Sequence, residues 1–237
     1  MALPKLTTPT YELEVPSTDE KIKYRPFLVR EEKILLIALE SEESKDILNA
    51  VKDIVAECTF NKLKIGDMPM FDIEYIFLNI RAKSVGEVSQ LKLKCPDDDE
   101  TFAEVEIDLS KVTVQVDKGH NPKIELTKDM GLIMKYPSID SFAGSGITNI
   151  TTDNMLDVIG SCILQIYDKK GEEVFEAKDQ TKKELSDFVE SLNTKQFQEV
   201  QKFFDTMPKL THKVTIENPK TKVKSDVILQ GLNDFFV

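Results

Sequence analysis

The sequence has few of the side chains that usually carry out catalysis. Its 237 residues include only two histidines, His120 and His212, and three cysteines. His120 lies in a turn that contains Gly119 and Pro122, and His212 opens a predicted strand, so the sequence places neither beside a nucleophile. We interpret both histidines as structural, and the sequence predicts no catalytic residue and no enzymatic activity.

Cysteine is scarce, and positively charged residues are fewer than negatively charged ones. Cys58, Cys95 and Cys162 are too few and too scattered for a disulfide framework, which fits a reducing compartment. The chain has 31 Lys+Arg against 42 Asp+Glu, a formal net charge of -11. Phosphate backbones repel a chain this acidic, so nucleic acid is excluded as a general partner.

Long hydrophobic runs are also missing. The longest, Ile34 to Leu39, is far short of the roughly 20 residues that cross a bilayer, and no signal-peptide pattern opens the chain. The sequence therefore predicts no membrane partner. Hydrophobic residues nevertheless make up 41% of the chain, enough for a core in one large domain or two small ones.

No segment matches a metal or cofactor motif. The acidic run Asp97 to Glu100 has consecutive aspartates and no central glycine, so we interpret it as a solvated turn and not a calcium loop. The glycine-dense Gly144 to Gly146 lacks the lysine of a phosphate loop and is interpreted as a flexible loop. We predict no metal and no cofactor.

Hydropathy near the start of the chain alternates as in strands. Thr10–Val15 and Lys21–Tyr24 predict a hairpin. Segments 26–29 and 33–39 resemble a second pair of strands. Within them the run Ile34–Ile37 has no polar face, which predicts either a strand covered on both sides or the start of a buried helix.

Further along, helical and strand patterns succeed one another. Helical spacing predicts helices at 44–59, 68–84, 153–168 and 181–207, the last broken at Asn193. Helix 68–84 is apolar around much of its circumference, which indicates a central position or contact with a partner. Alternation predicts strands through the stretch 86–135 and a final hairpin, while 137–152 is interpreted as a loop.

Together these patterns predict an α+β fold, a single discontinuous domain with a helical core, β-hairpins and a β-rich insert. Its expected parts are an N-terminal β-hairpin region (1–40), a helical core made of two segments (41–85 and 150–210), the insert (86–136), and a C-terminal hairpin with a tail (211–237).

The tail ends in two adjacent phenylalanines, Phe235 and Phe236. Two exposed aromatic rings are unfavourable in water unless they dock. They either pin the C-terminus onto the domain's own core or anchor it in another subunit.

Three segments carry a family resemblance: Phe71–Gly86, Phe203–Leu210 and Leu229–Phe236. Together they resemble the baseplate hub and hub-assembly proteins of T-even-type phages with contractile tails. The similarity runs, with gaps, from about Arg25 to the C-terminus. The first segment is long and fairly specific, whereas the tail motif alone is weak.

The resemblance implies a non-enzymatic structural or assembly protein of the virion's tail baseplate, present in the host cytoplasm during assembly. It implies partners among the other tail and baseplate hub proteins, including the tape-measure protein, and leaves the oligomeric state open. The candidate partner-binding residues are Phe71, Tyr75, Phe77, Phe235 and Phe236. Apolar helices favour a permanent subunit, and a transient hub-assembly chaperone, absent from the mature virion, is the alternative.

Some similar phage proteins carry Cys-x-x-Cys at the tips of two hairpins, which would together hold a structural zinc. Here Cys95 is followed by Pro96 and two aspartates, and the second tip, 216–219, has no cysteine. One thiolate does not make a tetrahedral four-cysteine site. We therefore expect no zinc, and hairpins held by strand pairing and packing.

Two other functions remain open. A cell-wall hydrolase of the hub would need carboxylates roughly 5–10 Å apart, but Asp72 and Glu74 are two residues apart on a predicted helix and do not face each other. The other is a regulatory module that binds an unknown partner.

Overall fold

The computed structural model describes residues 6–41, 43–143 and 154–235, a mixture of helices and antiparallel sheets that confirms the α+β class. The chain divides into two compact units, Met1–Gln115 with Lys209–Val237, and Val116–Pro208. Unit 1 is discontinuous. Helices occur in both units, and unit 2 has its own sheet and core.

The regular elements are as follows. The helices are α1 (Val29–Glu40), α2 (Ser44–Cys58), α3 (Met70–Val85), α4 (Ile139–Ala143), α5 (Met155–Ser161), α6 (Lys182–Glu190) and α7 (Thr194–Thr206). The strands are β1 (Tyr11–Glu14), β2 (Lys21–Tyr24), β3 (Val88–Lys94), β4 (Phe102–Asp108), β5 (Thr113–Gln115), β6 (Lys123–Glu125), β7 (Met130–Met134), β8 (Ile163–Asp168), β9 (Glu173–Glu176), β10 (Lys209–Glu217) and β11 (Lys224–Gln230).

Unit 1 is built around α3. Along this helix Ile73, Ile76 and Ile80 are fully buried, which confirms the predicted central position. The predicted β1–β2 hairpin also forms, and its turn is tied to α3 because Ser17 donates hydrogen bonds from its backbone N–H (3.0 Å) and from its hydroxyl to the carboxylate of Asp72.

Two further β elements complete unit 1. Strands β3 and β4 form the predicted hairpin with an acidic tip, and β11, β10 and β5 form a three-stranded antiparallel sheet. Their apolar faces share a cluster with α3, in which Leu78, Ile107, Leu210, Leu229 and Phe235 are buried.

Helix α1 corrects the prediction of a second strand pair at 26–29 and 33–39. Of the two interpretations of Ile34–Ile37, a helix is right, but the helix is not buried. The first turn explains the helix: the carboxylate of Glu31 accepts a hydrogen bond from the Leu28 backbone N–H (2.6 Å), and a negative charge is favourable at a helix N-terminus.

Unit 2 is a four-stranded antiparallel sheet in the order β6-β7-β8-β9, packed with α5, α6 and α7. Its core includes Leu132, Val200 and Phe203. The predicted break at Asn193 is confirmed, since this side chain caps α7. A capping box formed by Thr181 and Glu184 starts α6.

The predicted helix at 153–168 is only half right. It ends at Ser161, and Ile163–Asp168 is strand β8. Ile163 and Ile166 are three residues apart, as on one helical face, and both are buried in the sheet because its register shifts at a bulge between Ile133 and Met134.

The predicted loop at 137–152 contains the short helix α4, and strand β9 was not predicted at all. Residues 144–152 of that loop, which include Gly144 to Gly146, lie outside the described residues.

Candidate protein-interaction surface

Helix α1 presents apolar side chains to solvent. Val29, Leu36 and Ile37 are 80%, 54% and 57% exposed, and their spacing of two turns places them on one side of the helix. Ile34 and Leu39 flank them and are also exposed. The outward side of a surface helix is normally polar, so α1 is unusual in being apolar on its outer side. We call these five side chains, with Lys33 and Glu40, the α1 face.

Two opposite charges lie within the α1 face. Lys33 is one turn after Val29, and Glu40 is one turn after Leu36, so both share the outward side. Both side chains are exposed. The α1 face thus carries a cation toward its N-terminal end, an anion at its C-terminal end, and an apolar centre between them.

A buried ion pair holds the inner side of α1 in place. Arg25 donates from Nη2 to Oε1 of Glu31 (3.0 Å) and from Nη1 to the Pro26 carbonyl (3.0 Å). Burial alone would raise the pKa of Glu31, but the hydrogen bonds from Arg25, from Arg30 and from the Leu28 N–H lower it to about 2. Glu31 is therefore a fixed anion at neutral pH, and α1 is firmly anchored at its start.

The α1 face has the properties of a binding surface. Fully burying a Leu, Ile or Val side chain is worth about 1.5–3 kcal/mol, so covering several partly exposed ones stabilises an association. Contiguous apolar patches on soluble proteins commonly mark contacts with other proteins.

The predicted partner-binding residues lie elsewhere. Phe71, Phe77 and Phe235 are buried inside the protein, and Tyr75 is partly buried against the core around Leu78. Phe236 is outside the described residues. Burial removes Phe71, Phe77 and Phe235 from the surface, and the α1 face contains none of the five.

Sequence reasoning missed the α1 face because it treated a run without a polar side as buried. The available signal was the acidic pair Glu31 and Glu32 just before that run, since acidic residues are enriched in the first turn of a helix. Lys33 and Glu40 lie on either side of this run, and their charges also indicate that this side of the helix is exposed along its length.

The tips of two hairpins of unit 1 meet through polar contacts. The carboxylate of Asp97, on the β3–β4 tip, accepts hydrogen bonds from Asn218 Nδ2 (2.9 and 3.1 Å) and from the Thr221 hydroxyl on the β10–β11 tip. These bonds lower the pKa of Asp97. Cys95 is buried beneath them with Ile216, so the predicted link by packing is present with an additional hydrogen-bonded joint.

The three cysteines are buried and unpaired. Burial raises the pKa of the Cys58 and Cys162 thiols to about 11, and it raises that of Cys95 as well. A nucleophilic cysteine needs the opposite shift, so these thiols act as small core side chains.

His120 is held in a structural network within unit 2. Its Nδ1 lies 3.0 Å from Thr206 Oγ1, and its Nε2 lies 3.1 Å from the Tyr136 hydroxyl. Because the Thr206 hydroxyl donates to the Lys202 carbonyl, it accepts from Nδ1–H, and Tyr136 donates to Nε2. Burial lowers the pKa of His120, which favours this neutral form.

The two carboxylates weighed for a hydrolase have structural partners. Asp72 is fully buried; burial raises its pKa, and the hydrogen bonds from Ser17 oppose the rise. Burial raises the pKa of Glu74 to about 7, against a hydrogen bond from the Leu232 backbone N–H. Each group thus fixes a neighbouring segment, the first hairpin or the C-terminal tail.

In the described part of the chain, no group of three or more His, Cys, Asp or Glu side chains is arranged to hold a metal ion. None of the helices in the described residues has the length and apolarity needed to span a membrane.

Comparison with known proteins defines the class. A family model described as T4 bacteriophage base plate protein matches residues 8–237, nearly the whole chain. No curated protein and no solved structure matches the chain. The fold and its exposed helix therefore belong to a component of a phage tail baseplate. The chain is a member of the T4 bacteriophage base plate protein family, which confirms the resemblance found from the three sequence segments.

Proposed function

We propose that this protein is a non-enzymatic structural subunit of the baseplate hub that works through contacts with other tail proteins. The exposed α1 face carries this proposal, because apolar side chains held on an anchored helix are suited to a lasting contact and have no use in solvent. Membership of the baseplate family supports a place in the virion tail, reached by assembly in the host cytoplasm.

The candidate reacting groups support a role without chemistry. The thiols are buried with raised pKa values, His120 is bound on both ring nitrogens, and Asp72 and Glu74 have partners in the fold. A cell-wall lysis assay with the purified protein tests this: we expect no activity, and activity that disappears in Glu74→Gln contradicts the proposal.

The contact role is tested by co-purification from infected cells. We expect the chain to bring down baseplate hub proteins, including the tape-measure protein, and Leu36→Glu to reduce this. Val174→Glu is the matched control, because Val174 is equally exposed but lies in unit 2. Persistent failure to bind any tail protein contradicts the proposal.

Mass spectrometry of purified virions separates a subunit from an assembly chaperone. A subunit remains in the finished particle, whereas a chaperone occurs only in assembly intermediates. We expect the chain in the virion, and its absence there, combined with its presence in intermediates, supports the chaperone function instead.

A further inference from the structure

We infer that the α1 face binds the same face of a second copy of this chain, with the two helices antiparallel about a twofold axis. This inference rests on the proposed function, since it names the first neighbour that the α1 face contacts. A twofold contact uses one surface twice, so that surface must be complementary to itself.

The α1 face meets that requirement residue by residue. In an antiparallel pair centred between Leu36 and Ile37, Leu36 of each copy lies opposite Ile37 of the other. Ile34 and Leu39 are about 140° apart around the helix, so they add apolar surface along the two edges of the contact. Lys33 and Glu40 lie opposite each other at both ends, which gives two intermolecular ion pairs.

The charges also select the orientation. A parallel pair would place Lys33 against Lys33 and Glu40 against Glu40, and like charges across an interface are unfavourable. Within one chain the two are seven residues apart, about 10 Å along the helix, too far to pair with each other. Among the described residues neither has an ion-pair partner, so both are available to a second copy.

The exposed area is enough for a weak dimer. The four apolar side chains within the pairing, Ile34, Leu36, Ile37 and Leu39, are 42–57% exposed. Together they offer on the order of 400 Å² per copy, while small specific interfaces bury about 600 Å² per partner. Contributions from Lys33 and Glu40 bring the contact into that range. We expect a dissociation constant of about 1–100 μM.

Little has to be ordered for this contact to form. The buried Arg25–Glu31 pair fixes the start of α1, and Ala38 is buried on the opposite side from Leu36. A preformed face loses less conformational freedom on binding than a mobile one.

Analytical ultracentrifugation of the full chain from about 1 to 200 μM tests the inference. We expect the wild-type protein to shift from monomer to dimer across this range, and Leu36→Glu to remain monomeric. Because Leu36 is an exposed position, the thermal unfolding of the Leu36→Glu variant should match that of the wild type. Val174→Glu, in unit 2, should dimerise as the wild type does.

A charge exchange tests the antiparallel register. Lys33→Glu or Glu40→Lys alone places like charges together at both ends, and we expect the dimer to weaken roughly tenfold. The double variant restores opposite charges and should bind within about threefold of the wild type. Failure of the double variant to recover would exclude this pairing.

The remaining outcomes separate this inference from the proposed function. A wild-type protein that stays monomeric, or a dimer that Leu36→Glu leaves intact, overturns the self-pairing. If Leu36→Glu still blocks incorporation into baseplates, a different protein binds the α1 face and the proposed function stands. If the dimer forms but Leu36→Glu is incorporated normally and still brings down hub proteins, the pairing is right and the proposed use of this face in the hub is wrong.

Discussion

Phe235 decides whether the C-terminal tail belongs to the protein's own core. Its side chain is 0% exposed and packs in the cluster that contains Leu78, Leu210 and Leu229. Truncating a buried phenylalanine to alanine costs about 3–5 kcal/mol. Only the short turn Leu232–Phe235 carries this side chain, so the tail can partly relax, and we expect Phe235→Ala to lower the unfolding free energy of unit 1 by about 3 kcal/mol.

Urea unfolding of the full chain, followed by circular dichroism and fitted with one transition per unit where two are resolved, measures this loss. Phe102→Ala is the matched control, because Phe102 is a half-exposed phenylalanine of the same unit; its cost should stay near 0.5 kcal/mol. A loss below about 1 kcal/mol in Phe235→Ala would contradict docking on the core and favour the alternative in which the tail anchors in another subunit.

Three further predictions concern single contacts. Gly131→Ala should destabilise unit 2 by about 1–3 kcal/mol in thermal unfolding, since a Cβ there meets the Tyr167 hydroxyl and lies 2.5 Å from the Ile124 carbonyl oxygen. Gly119→Ala is the control, because its Cβ meets only a flexible side chain and the change should be near neutral. Equal effects of the two substitutions would contradict the packing. Burial lowers the pKa of His120 below its unfolded value of 6.5, so its contribution to stability is present above pH 6.5 and is lost as pH falls through the folded pKa; the wild-type melting temperature should therefore fall relative to His120→Gln between pH 7 and 5, and parallel curves would refute this. Asp97→Ala should speed tryptic cleavage at the β10–β11 tip, while Glu100→Ala, an exposed position of the same acidic tip that leaves the Asn218 contact intact, should not. Identical rates would show that the joint does not hold the tips.

Local patterns predicted most elements well because they depend on neighbours in the sequence. Alternation found the β1–β2, β3–β4 and β10–β11 hairpins, and helical spacing found α2, α3, α6 and α7. The error at β8 arose because a bulge, which depends on the partner strand β7, let a strand bury residues at helical spacing.

Tertiary placement could not be predicted in the same way. Phe71 and Phe77 were expected at an interface because α3 is apolar on most sides, and they are buried because α2, β5 and β10 surround that helix. Ile34–Ile37 was expected inside, yet this segment is exposed on α1. Hydropathy says which side chains are unfavourable in water, but only the neighbouring elements decide which of them find cover within the chain.

Net charge and the α1 face act on association at different distances. Two copies with a formal charge of -11 each repel one another before they touch, and this repulsion reaches about 30 Å at 10 mM salt but about 8 Å at 0.15 M. Apolar burial acts only at contact and is little affected by such salt. Raising salt from 10 mM to 0.15 M should therefore strengthen α1-mediated pairing, even though it weakens the exposed Lys33–Glu40 pairs, because those pairs contribute little individually. Sedimentation at the two salt concentrations measures the difference. A dimer that weakens with salt would mean that ion pairs, and not apolar contact, hold the copies together.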